Sequence, residues 1–228
     1  GNQFQEFLQD WETIYNQIKS IDPDAIIGGP NFATYNPDAM AGFMEYARDH
    51  DVLPDVVTWH ELGNDFFTDW YNHYDHYRGI EANLGISERL ISINEYGRIH
   101  TDESVPGNMV QFISKFENSK VLGSIAFWGT AGSLNELVAE NNRATGAWWL
   151  YKWYSDLSGH TVQVIPPSLN SSLQGVAALD ASKNQARLVF GGAPSTNDVF
   201  DTDVVIQGLS SVSGFGNAVH VTVWGVDD

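Results

Sequence analysis

Residues 90–97 read LISINEYG. Leu90, Ile91 and Ile93 form a short apolar run of the kind buried on both faces of a parallel sheet. The run changes character at Asn94 and Glu95, and Tyr96 and Gly97 then turn the chain away. A carboxylate at the carboxyl end of a buried parallel strand stands at the mouth of an α/β fold, where active sites are built. Two other runs end in the same way. Trp59, His60 and Glu61 follow the run that begins at Val56, and Trp128 follows the run that begins at Leu122. An acid, a hydrogen-bonding imidazole and flat rings suit a polyhydroxylated ligand: carboxylates accept from its hydroxyls, and aromatic faces stack on its C–H faces. Each residue also has a plain structural reading, with Glu95 a solvated strand end, His60 a satisfied structural histidine, and Trp59 and Trp128 core.

The elements that must position these groups follow from apolar spacing. Phe4, Phe7, Leu8, Trp11, Tyr15 and Ile18 predict an amphipathic helix over 2–19. Asp22-Pro23-Asp24 ends it, because proline disfavours helix in the residue before it. A buried strand is expected at 25–28, closed by Gly28-Gly29-Pro30. Then come a helix at 37–50, a strand at 56–59, a helix at 70–84, a strand at 90–93, a helix at 106–118, a strand at 122–128 and a helix at 144–157. The strands recur every 31 to 35 residues or so, close to the interval of about 31 in an eight-fold barrel. This alternation signals βα units and a parallel sheet. Residues 1–158 therefore read as the C-terminal half of a (β/α)8 TIM barrel, strands five to eight. A doubly wound sheet is the structural alternative, but no GxGxxG follows any strand.

After about residue 159 the helical period disappears. Short β-like runs at 161–165, 175–179, 186–190, 199–206 and 219–224 are separated by Gly, Pro, Ser and Asn. Residues 159–228 are thus expected to form an antiparallel β-sandwich domain, or part of one. Half a barrel would leave open edges at 25–28 and 122–128, and would show Ile27, Val57, Ile91 and Ile125 to water on its inner face. Another chain is expected to complete it: either the missing N-terminal half of the same protein or a second copy. Gly1 opens almost directly on a helix, which reads as a cut into a longer protein.

Composition narrows the chemistry. Lys and Arg total 11 against 29 Asp and Glu, a net charge of −18. Such a surface repels nucleic acid and anionic membranes, so neither is an expected partner. Without a GK[ST] phosphate loop, phosphorylated substrates are not expected either. There is no cysteine, which excludes disulfides, thiolate catalysis and Cys-ligated zinc. No apolar run approaches the roughly 18 residues of a membrane helix, and no signal peptide is visible. His73 and His76 lie three apart on a helix and could share a face for a metal. With no HExxH spacing, the solvated-helix reading is preferred, and no metal or other cofactor is expected. Trp148, Trp149 and Trp153 read as helix packing. Asn170-Ser171-Ser172 fits a glycosylation sequon, a match frequent by chance.

The ordered segments WETIYNQIKSIDPDAIIGGP, DVVTWHE, ISINEYG and GSIAFWG resemble the second half of a clan A retaining glycoside hydrolase. Within the clan the chain is most similar to glycoside hydrolase family 39 and its relatives. The likeness spans roughly residues 12–153, and AWWLYKWYSDLSG is similar to the segment that leads from barrel to sandwich in those enzymes. The resemblance implies a barrel with an accessory sandwich and hydrolysis of β-linked glycosides by double displacement. Two glutamates would do it, one forming a glycosyl-enzyme and one, about 5–5.5 Å away, protonating the leaving oxygen. Glu95 matches the nucleophile at the end of strand seven. The acid/base belongs to an Asn-Glu pair ending strand four, a position expected upstream of Gly1. His60 matches the strand-six histidine. Where the family often has Tyr two residues later, this chain has Leu62. Trp128 matches the strand-eight tryptophan that floors the cleavage subsite. Glu61 ends the neighbouring strand and is either the second carboxyl or, preferably, a hydroxyl ligand. The strand-end residues and the resemblance together give a carbohydrate substrate, Glu95 as catalytic residue, and Trp59, His60, Glu61, Asn94, Tyr96 and Trp128 as its binding residues, in a protein expected to be secreted or periplasmic. The alternatives are a non-hydrolytic carbohydrate-binding protein on the same fold, or a doubly wound domain with an unrelated small-molecule site. On the glycosidase reading the 228 residues alone should not turn over aryl glycosides, because the acid/base lies elsewhere. Hydrolysis by an isolated, folded preparation would make Glu61 the leading acid.

Overall fold

The computed structural model describes residues 2–98, 102, 105–126, 138–139, 143–192, 201–216 and 218–226. They form two compact units, Gly1–Tyr96 with Ser119–Ala126 and Gly97–Asn118 with Phe127–Asp228.

In the first unit the chain runs α1 (Asn2–Ile21), β1 (Gly28–Phe32), α2 (Pro37–Asp49), β2 (Val56–Glu61), α3 (Phe66–Leu84) and β3 (Leu90–Tyr96), and after α4 (Pro106–Ser119) it returns as β4 (Leu122–Ile125). The four strands make one parallel sheet in the order β1-β2-β3-β4. Sequential strands are therefore neighbours, without the reversal of order that marks a doubly wound sheet. β1 starts where the expected strand at 25–28 was to end. Residues 25–27 have other partners: Lys19 Nζ donates to Ala25 O at 2.6 Å, and the Ile27 N–H donates to Asp55 Oδ2 at 2.9 Å. The ladder begins with Gly28 opposite Val56, so Gly28-Gly29-Pro30 is the strand itself. Pro30 has no N–H to donate, and within the described sheet β1 is an edge strand, where proline is tolerated.

Helices α1, α2 and α3 cover one face of the sheet. Val57 and Ile91 are opposite each other, as are Trp59 and Ile93, and all four are fully buried. The Trp59 ring meets Trp70 and Tyr77 of α3. On the other face Leu90 is 47% and Leu122 56% exposed. The expectation that Val57, Ile91 and Ile27 face the open side is thus corrected. Strand alternation runs in the opposite phase, with Val56 and Leu90 on the open side and Val57 and Ile91 under the helices.

α2 and α3 each carry a boundary signal. Asn36 caps α2 by accepting from the Ala39 N–H at 2.9 Å, with Pro37 in the first turn. Gly85 ends α3 at φ 69°, a left-handed position that suits glycine. α3 begins one turn before the expected Trp70, at Phe66. Phe43 of α2 joins the layers, with its ring 5.0 Å from Trp11, 6.0 Å from Phe7 and 6.2 Å from Phe32. A Cβ at Gly29 would overlap the Trp11 ring, so glycine lets α1 close on the sheet. Trp70 donates its indole N–H to Ser119 Oγ at 2.9 Å.

The second unit holds α4 (Pro106–Ser119) up to Asn118, a two-stranded ladder of β5 (Val138–Ala139) and β6 (Arg143–Ala144), α5 (Gly146–Ser155), and an antiparallel sheet of β7 (His160–Val162), β8 (Gln174–Leu179) and β9 (Ala186–Gly191). Asp102 is fully buried and accepts from Arg98 at 2.6 Å and Asn108 at 2.9 Å. Lys115 of α4 reaches Leu169 O and Asn170 Oδ1, both at 3.3 Å, and burial pushes its ammonium down to about 8. Two expected strands are not formed among the described residues. The described residues of 199–206, and 219–224, have no ladder partner among the described residues, and Val205, Val223 and Trp224 are exposed. No helix among the described residues is long and apolar enough to cross a membrane.

Phe43 is fully buried among three aromatic rings, so Phe43→Ala is expected to lower stability by about 3–5 kcal/mol, read as a shifted urea midpoint with an unchanged m-value.

Candidate active site

The carboxyl ends of β1, β2 and β3 carry the candidate residues, and their geometry is set by two one-residue slips in the ladder. Between β2 and β3 the pairs run Thr58 with Ser92, Trp59 with Ile93, and then His60 with Glu95. Asn94 is the extra residue. Between β1 and β2, Pro30 pairs with Thr58 and Phe32 with Trp59, so Asn31 is extra. A bulge inserts one residue and changes which face the following side chains take. Without it Glu95 would follow Ile91 and Ile93 under the helices. With it, Glu95 joins His60, whose Nδ1 lies 3.5 Å from Glu95 Oε2. The Glu95 side chain is 41% exposed and that of His60 15%.

The other carboxylate takes the opposite face. Glu61 is 2% exposed, and its Oε1 accepts from the Trp59 indole N–H at 2.7 Å and His73 Nδ1 at 2.9 Å. Trp59 is fully buried and Tyr96 is 4% exposed. The structure therefore brings His60 and Glu95 together at the open side, and gathers Trp59, Glu61 and Tyr96 on the helix side. Asn94 Nδ2 donates to Asn31 Oδ1 across the intervening β2. Trp128 lies outside the described residues.

Three residues join this site that the sequence did not assign to it. Tyr35, in the loop after β1, stacks on His73 at 4.7 Å and meets Trp59 edge-on at 5.1 Å. Its hydroxyl is hydrogen-bonded to His76 Nδ1 at 2.8 Å. Burial, and next the Glu61 carboxylate, hold that hydroxyl protonated well above its ordinary value. His73 is the second and Asn31 the third. His73 and His76 do not converge on a common point: one meets Glu61 and the other Tyr35. Among the described residues no three His, Asp or Glu side chains come together to hold a metal ion. The helical spacing of His73 and His76 pointed to a shared face, but nothing in the sequence paired His73 with Glu61, twelve residues away on another element. Asn31 was visible only as an asparagine after Gly-Pro, a residue type that tolerates left-handed backbone.

No family model matches the chain. Over 244 residues, 96% of the chain, it is 38% identical to a 3-O-α-D-galactosyl-α-L-arabinofuranosidase of Bifidobacterium longum subsp. longum. Over 213 residues, 85% of the chain, it is 36% identical to a 3-O-β-L-arabinopyranosyl-α-L-arabinofuranosidase of Bifidobacterium pseudocatenulatum. The chain spans only 21% and 22% of the length of these curated relatives. Among solved structures, N2152 from Neocallimastix frontalis superposes with a TM-score of 0.76 and 40% identity, covering 82% of this chain and 47% of that one. A monomeric β-xylosidase from Caulobacter crescentus shares the fold, with a TM-score of 0.57 and 16% identity over 80% of this chain and 42% of that one. The chain is thus related to glycoside hydrolases.

The His73 imidazole is subject to opposing effects. Burial pulls its pKa down, but the hydrogen bond and charge of Glu61, helped by Asp65 and Asp69, outweigh burial and raise it above the ordinary value. A raised folded-state pKa stabilises the protein fully below the unfolded value, near 6.5. That contribution is lost as pH rises through the folded value. The Tm gap between wild type and His73→Gln is therefore expected to be widest below about pH 6.5 and to narrow above it, as read by calorimetry across pH 5–9.

Proposed function

We propose that this chain is part of a retaining glycoside hydrolase of clan A, similar to family 39, with Glu95 as its nucleophile. The observation that carries the reading is the placement of Glu95: a solvent-accessible carboxylate at the carboxyl end of a parallel strand, aimed by a bulge to the same face as His60. The sequential strand order and the helices confined to one face support a closed singly wound barrel, of which residues 1–158 supply half. The antiparallel sheet of β7–β9 supports an accessory sandwich beyond it. Both curated relatives bear the name of α-L-arabinofuranosidases, so the substrate proposed is an α-L-arabinofuranoside rather than the β-linked glycoside expected from the sequence.

In the proposed reaction Glu95 attacks the anomeric carbon as the glycosidic bond breaks, giving a glycosyl-enzyme that water then hydrolyses. His60 stands beside the attacking oxygens and restrains the carboxylate. Asn94 is the proposed hydroxyl ligand on the same edge, and Trp128 remains the proposed floor of the subsite. Trp59, Glu61 and Tyr96 support this rim from behind. Glu61 does not serve as the acid, because the acid and the nucleophile must flank one glycosidic bond and Glu61 lies under the helices. The acid/base is a glutamate outside this chain, and the site is extracellular, secreted or periplasmic.

In the full-length protein, Glu95→Gln is expected to lower kcat on 4-nitrophenyl α-L-arabinofuranoside by roughly 10^4-fold or more while leaving Tm unchanged. Activity near that of the wild type would refute the assignment. Sugar binding without turnover by the wild type would favour the non-hydrolytic reading.

A further inference from the structure

Bulges are rare in parallel ladders, yet β1 and β3 each carry one, and both fall beside Trp59 of the strand between them. Both extra residues are asparagines, and their side chains bridge β2 by the Asn94 Nδ2 to Asn31 Oδ1 hydrogen bond. Asn31 holds φ 64°, a left-handed backbone that glycine would adopt with less strain. The Asn94 Oδ1 is buried and has no partner among the described residues. Both features lower stability, and such features persist where position matters more.

We propose that Asn31 is a positioning residue for Glu95. Its amide oxygen anchors the Asn94 amide, which holds the bulge at one residue and keeps Glu95 on the open face. Loss of the anchor lets the end of β3 sample the unbulged register, in which the carboxylate points under the helices. This inference rests on the reading of Glu95 as the nucleophile. It adds a residue from a different strand that touches neither substrate nor Glu95 in the role proposed.

The test uses the full-length protein, 4-nitrophenyl α-L-arabinofuranoside, and the variants Asn31→Gly, Asn31→Asp and Glu95→Gln. Glycine suits the φ of residue 31 but removes the anchor. Asn31→Gly should therefore keep or raise Tm, lower kcat by roughly 10- to 100-fold and leave KM little changed. Aspartate tolerates the same backbone and keeps an oxygen for Asn94 Nδ2, so Asn31→Asp should restore most of kcat. An Asn31→Gly enzyme with kcat within about twofold of wild type overturns the proposal. So does a parallel loss of Tm, kcat and KM in both variants, which is what a merely structural role produces. An inactive Glu95→Gln beside a fully active Asn31→Gly discards this inference alone, whereas an active Glu95→Gln discards the nucleophile reading on which it rests.

Discussion

A β-strand sends successive side chains to opposite faces, and nothing in a regular ladder lets it do otherwise. β3 uses this rule for four residues, burying Ile91 and Ile93 under the helices, and then breaks it once. The extra residue at Asn94 changes the phase, so that Glu95 comes out on the face of His60 instead of following Ile93 inward. The strand also bulges against β4, where Ile93 pairs with Gly123 and Tyr96 with Ile125. Position 94 is thus a property of β3 and not of one pairing. The placement of the Glu95 carboxylate beside His60 depends on that single residue.

The two carboxylates that end β2 and β3 illustrate how environment assigns roles to one side-chain type. Glu61 sits at 2% exposure with an indole N–H and an imidazole as its partners. A buried carboxylate without such partners would be strongly destabilising. The pair ties α3 to the end of β2, the strand that presents His60. Tyr35 stacks over the His73 imidazole that bonds Glu61, so the loop after β1 is drawn into this layer. Glu95, in contrast, stays open to solvent on one side. The helix face is closed and hydrogen-bonded, and the opposite face stays open to solvent.

Much of this was legible in the sequence. Apolar spacing in α1, α2 and α4, the 31–35-residue recurrence of strands, and the polar ending of the run at 90–93 located the elements and pointed to Glu95. Local cues misled where a side chain competed for the backbone. Lys19 takes the Ala25 carbonyl and Asp55 the Ile27 N–H, and β1 begins at the glycines that looked like its end. The β-like runs at 199–206 and 219–224 have the alternation of strands but no neighbour to bond among the described residues. Alternation reports the capacity for a ladder, and a ladder needs a second strand.

The sequence by itself located the helices and the recurring strands of the parallel sheet to within a few residues, and placed Glu95, His60 and Asn94 at strand ends. Those are consequences of local periodicity and of residue type at a boundary. Only the tertiary structure decided which face each of them takes. Register is a relation between strands about 30 residues apart, and a slip of one residue exchanges the faces without altering any local pattern. For the same reason Asn31 and His73, ordinary residues in the linear chain, acquire their partners only when β1, β2, β3 and α3 are packed together.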